Sequence, residues 1–165
     1  MSYLLKRVLL NVFLCLLLIA CEKENLSNEI VVNDVEMHYE AMELEVTKLV
    51  NNYRTQKDLP KLEVLNLISL EAESHSLYML DNEVLSHDNF DLRTQNLIDN
   101  TGAKNVAENV AFGYQSAEKF LEGWLKSPEH CKNIEARYFT HFGVSAKINE
   151  DGNYYVTQIF IERSK

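Results

Sequence analysis

"NVAENVAFG", residues 105–113, decides how the rest of the chain is read. Val106, Ala107, Val110, Ala111 and Phe112 mark a strand-like segment bound for the interior, with Glu108 and Asn109 in its middle. No basic residue inside the run neutralises the carboxylate. A buried acid of this kind either accepts hydrogen bonds from a neighbouring loop or belongs to a site. Asn109 is read as pinning a loop backbone.

Downstream, "SAEKFLEGWLKS" (116–127) has a serine at its start and an acid in its first turn, with Phe120, Leu121, Trp124 and Leu125 as its apolar side. "SPEHCKNIE" (127–135) opens another helix with Pro128, and Ser127 is expected to cap it. The tail reads as a hairpin: "FGVSAKI", a turn at Asp151–Gly152, then "YYVTQIFIE".

Upstream, Met42, Val46, Leu49, Val50 and Tyr53 recur at helical spacing from about residue 36, and Pro60 closes that helix. A second helix spans about 65–80, with Leu65, Ile68, Ala72, His75 and Met79 on one stripe. His75 is read there as a core histidine with one hydrogen-bond partner. "DNEVLSHDNFDLRTQ" (81–95) is a loop carrying His87, leading into a short helix near 91–99, and "NTGAK" (100–104) is a turn. Helices followed by a terminal hairpin, with one earlier strand, imply an α+β domain.

The first twenty residues stand apart. Lys6 and Arg7 precede the apolar run "VLLNVFLCLLLIA" (8–20), the pattern of an export signal, and "LIAC" (18–21) resembles a bacterial lipobox with Cys21 as the acylated residue. Acyl chains on Cys21 would hold the protein at a membrane surface. The expected organisation is a lipoprotein signal at 1–20, a polar tether at 21–37 and one domain at 38–163, facing the periplasm or the cell surface. Without Lys6 and Arg7 the chain carries 14 basic and 25 acidic residues, a formal charge of −11, which argues against nucleic acid as a partner. Cys131 then has no intrachain partner for a disulfide.

No G-x-S-x-G, H-E-x-x-H, P-loop or paired C-x-x-C is present. Instead "LSHDNF" with His87, "AENVAFG" with Glu108 and "GWLKSPEHCKNI" with His130 occur in order, followed by "FTHFGVSAK" and "YYVTQIF". Together, over about residues 40–162, they resemble the CAP superfamily: the cysteine-rich secretory, antigen 5 and pathogenesis-related proteins, or SCP domain, in its bacterial branch. The resemblance implies a three-layer α–β–α sandwich with a central antiparallel sheet. It also implies a cleft holding two histidines and two acids. By motif the histidines are His87 and His130, and the first acid is Glu108. The second acid belongs on the helix of "SAEKFLEGWLKS", where Glu122 is the nearest candidate but precedes Trp124 instead of following it. Glu129 stands where glycine is common, and Cys131 where arginine is frequent.

Two imidazoles and a carboxylate suit zinc or another divalent metal, with His87 and His130 as ligands. Glu108 is then a weak ligand, a partner orienting one imidazole, or a general base. Three functions are carried forward. The first is a membrane-tethered domain whose cleft of His87, Glu108 and His130 binds a divalent metal and a small apolar or peptide-like ligand, with Asn109 and Ser127 supporting it. The second is a metal-assisted hydrolase of envelope peptide or ester bonds, with Glu108 activating water. The third is a non-catalytic interaction or scaffold protein.

Overall fold

The computed structural model describes residues 35–163. The expected signal segment, Cys21 and most of the tether lie outside the described residues. Among the described residues, five helices and four strands follow in the order α1 (Ala41–Gln56), β1 (Glu63–Val64), α2 (Asn66–Asp81), α3 (Phe90–Thr101), β2 (Ala103–Phe112), α4 (Ala117–Lys126), α5 (Pro128–Glu135), β3 (His141–Ile148) and β4 (Tyr154–Arg163).

The strands form one sheet in the order β1-β3-β4-β2. Alternation along β4 supplies both cores of the sandwich. Val156 and Phe160 face a layer of α1, α4 and α5, where Val46, Val50, Phe120, Trp124 and Ile134 are buried. Ile159 and Ile161 face α2 and α3, against Ile68, Ala72 and Leu97. This is the expected three-layer α–β–α arrangement.

The sheet carries one addition to the sequence reading. β1 pairs parallel to β3 through Glu63↔His141 and Val64↔Phe142. Two residues are too short to show a period. Beyond that pairing, side chains satisfy the outer edge of β3: Ser69 Oγ accepts from Val144 N at 3.3 Å, and Glu43 Oε1 accepts from Ala146 N at 3.0 Å. Gly143 lets α2 approach this strand. A Cβ there would lie 2.3 Å from the Ser69 backbone nitrogen.

Two boundaries differ from expectation. α1 begins at Ala41, where the Glu43 carboxylate accepts from the Glu40 N–H at 2.9 Å. α3 runs through Asn100 and Thr101, so the expected turn reduces to Gly102 at φ 69, and Ala103 and Lys104 already belong to β2. The Thr101 hydroxyl bonds back to Leu97 O at 2.6 Å and keeps the last turn helical until glycine ends it.

Candidate functional site

Among the described residues, β2 is an edge strand paired only with β4. Consecutive side chains on a strand point to opposite faces, so Glu108 and Asn109 serve different layers. Glu108 lies opposite Ile159 in the sheet and faces α2 and α3. Asn109 faces α5.

On the Glu108 side, four side chains converge. His87 Nδ1 lies 2.8 Å from Glu108 Oε1. Arg93 donates from Nε to Oε2 and from Nη2 to Oε1, both at 2.9 Å. His75 Nε2 is 3.9 Å from Oε1 and donates to the Ser86 carbonyl at 2.7 Å. The Glu108 side chain is 1% exposed and that of Arg93 8%, whereas His87 is 52% exposed. A buried carboxylate is costly alone, and the guanidinium fork makes it tolerable.

The same contacts fasten the loop that carries His87. Arg93 Nη1 donates to the Asp88 carbonyl at 2.7 Å, and Tyr78 donates its hydroxyl hydrogen to Asp88 Oδ2 at 2.8 Å. The Tyr78 ring also stacks on His75. Few apolar contacts hold this stretch, with Leu85 52% exposed, so hydrogen bonds from α2, α3 and β2 fix it.

On the other face, Asn109 Nδ2 donates to the His130 carbonyl at 3.2 Å, and Asn133 Nδ2 donates to Asn109 Oδ1 at 2.9 Å. Asn109 thus pins backbone, though it is the backbone of helix α5 carrying His130 and not that of a loop, which the sequence suggested. Burial lowers the His130 pKa below the ordinary imidazole value, and the neighbouring His87 lowers it further. Burial is also the main cause of the lowered His75 pKa.

The remaining residues separate into near and far. Ser127 occupies the N-cap position of α5 and its carbonyl accepts from Cys131 N at 2.9 Å, but its hydroxyl makes no capping bond. The expected side-chain cap is therefore not made, and the bond to Cys131 N is the ordinary first bond of the helix. Glu122 is spent on Lys119 and Lys126 at 2.8 and 2.6 Å on the outside of α4, which pulls its pKa down to about 2. It makes no contact with the His87 cluster. Cys131 sits with Tyr53 and Glu135, and burial pushes its thiol up. Trp124 is core, its indole N–H donating to Val110 O at 3.3 Å.

Arg93 escapes the sequence reading, and His75 is placed by it only in part. Arg93 supplies the charge missing from the "NVAENVAFG" run. A signal for it exists: Arg93, Leu97 and Thr101 are four residues apart and all buried on one stripe of α3. His75 is a core histidine as expected, with Ser86 as its partner, and it also lies beside Glu108.

A family model described as CAP, the cysteine-rich secretory protein family, matches residues 47–160. The chain belongs to the CAP family. The uncharacterized protein YkwD of Bacillus subtilis is 32% identical over 110 residues, covering 63% of this chain and 42% of that protein. The crystal structure of an extracellular protein containing an SCP domain from Bacillus anthracis matches at 30% identity and TM-score 0.63, over 74% of this chain and 40% of that one. The chain thus spans less than half the length of these two CAP relatives. An outer surface protein of Borrelia burgdorferi shares the CAP fold at 16% identity and TM-score 0.69, covering 80% of this chain and all (100%) of its own.

Proposed function

We propose that this CAP protein is an exported, lipid-anchored binding domain that meets its ligand with His87 and His130. The signal-like residues 8–20 and "LIAC" ending at Cys21 support export and anchoring. So does the extracellular description of the Bacillus anthracis relative. The ligand class is a divalent ion or a small peptide-like or apolar molecule.

The observation that carries the choice of binding over hydrolysis is the occupancy of Glu108. Both of its oxygens accept from Arg93, one also faces His87, and its side chain is 1% exposed. A general base must reach the proton it removes, and Glu108 has no open edge toward water. His87 does: its Nδ1 edge is held from behind and half of the side chain is open.

Among the described residues, no group of three or more His, Cys, Asp or Glu side chains is arranged to hold a metal ion. Glu108 does not fit as a ligand, because its oxygens are taken. The two imidazoles suit such an ion by donor type, and they lie near enough for His87 to lower the His130 pKa; Glu108 stands behind His87 in the role carboxylates play behind ligating histidines. A divalent ion held there by His87 and His130 would polarise a ligand oxygen.

The test is calorimetric titration of zinc into the protein and into H87A/H130A, with a peptide and ester hydrolysis screen on the parent and E108Q. Saturable binding lost in the double variant, without turnover, is expected. Turnover abolished in E108Q would put the hydrolase ahead of the binding reading. Neither binding nor turnover would leave the scaffold reading.

A further inference from the structure

We infer that Arg93 is a positioning residue that dictates which nitrogen of His87 faces the ligand. The inference rests on the reading of His87 as ligand-facing. One guanidinium holds both things that orient the ring. Its Nε and Nη2 fix the Glu108 carboxylate at 2.9 Å each, and its Nη1 holds the Asp88 carbonyl, in the backbone next to His87, at 2.7 Å. The planar fork thereby ties the acceptor for the imidazole and the chain segment bearing it to one rigid group.

The consequence follows from donor and acceptor arithmetic. An ionised Glu108 offers only acceptors, and its Oε1 lies 2.8 Å from His87 Nδ1. Neutral His87 therefore carries its hydrogen on Nδ1 and turns the Nε2 lone pair outward. Because the Arg93–Glu108 pair is neutral as a whole, the carboxylate selects the tautomer by direction, with little net charge. Lysine at position 93 would keep the positive charge but present no fork to reach Glu108 and Asp88 together. The loop itself would stay attached, since His75 still holds Ser86 and Tyr78 still holds the Asp88 side chain. Losing the fork thus frees the ring without releasing the loop.

The test is the nitrogen-15 spectrum of the histidine rings of the full chain in detergent, at a pH where His87 is neutral, for the parent and R93K. The parent should show His87 as the Nδ1–H tautomer. In R93K, His87 should move toward the Nε2–H form that unconstrained histidine favours, while His75 keeps the Nε2–H form that its bond to Ser86 fixes and His141 keeps its shifts. Zinc affinity should fall roughly tenfold or more, the usual effect of disturbing a carboxylate behind a ligating histidine. An Nε2–H tautomer in the parent would overturn the inference, a result that needs no variant to fold. So would an unchanged Nδ1–H tautomer in R93K. If the tautomer follows Arg93 but zinc binds neither protein, the positioning role stands and only the metal reading falls.

Discussion

Cutting one side of the Arg93–Glu108 pair should cost far more than removing both. In E108A the guanidinium of Arg93, a residue only 6% exposed, keeps its charge and loses its carboxylate. Breaking a buried pair in this way costs about 3–5 kcal/mol, a large part of the roughly 5–15 kcal/mol that holds a domain folded. With a urea slope of about 2 kcal/mol/M, the unfolding midpoint should fall by about 2 M. R93M should cost a comparable amount by stranding Glu108. In R93M/E108L neither charge of this pair is left buried, and Asp88 and His87 are exposed enough to turn to water. The double variant should therefore lie within about 2 kcal/mol of the parent, since apolar replacements of buried pairs are often neutral. The cycle should show a coupling of about 3 kcal/mol or more, read from urea midpoints at constant slope. A cost below about 1 kcal/mol for E108A, or single effects that simply add, would refute the argument that this pair holds the site together.

Other outcomes follow from single features. Burial lowers the pKa of His75 and His141, so the unfolded chain takes up protons more readily as pH falls through about 6.5. Their stabilising share is complete above that pH and is lost toward their folded-state values; urea midpoints should drop between pH 7.5 and 5.5, roughly the window around the ordinary imidazole value, and H141N should flatten the slope. G143A places a methyl 2.3 Å from the Ser69 backbone nitrogen, forcing α2 off β3 at a cost of about 1–3 kcal/mol or more in urea unfolding. E122Q removes an acid engaged only by Lys119 and Lys126, and should leave zinc titration of the protein unchanged; a weakened titration would make Glu122 part of the site after all.

What the sequence makes legible follows the range of each interaction. Helices announce themselves every three to four residues, so α1, α2, α4 and α5 are readable to within a few positions. Asp151–Gly152 marks the terminal hairpin for the same local reason. β1 is not readable, because two residues have no period and its pairing with β3 is set by residues far along the chain. His87, Glu108 and His130 are placed by motif, and the structure brings Glu108 to His87 directly. Arg93 is hard to single out because its partner is 15 residues away on another element. A lone arginine on the apolar stripe of one helix and a lone acid in the next strand are each unexplained, and together they account for one another. His75 shows the converse limit: its burial is legible, its place beside Glu108 is not.

The most direct test of the account is to follow all five histidines of the nitrogen-15-labelled chain by NMR while zinc is added. His87 and His130 should shift together and saturate at one equivalent, while His38 and His141 stay in place. If His87 and His130 stay fixed, or shift independently at different zinc concentrations, then the His87 ring held by Glu108 and the His130 whose backbone Asn109 pins do not form one binding site, and the central claim fails.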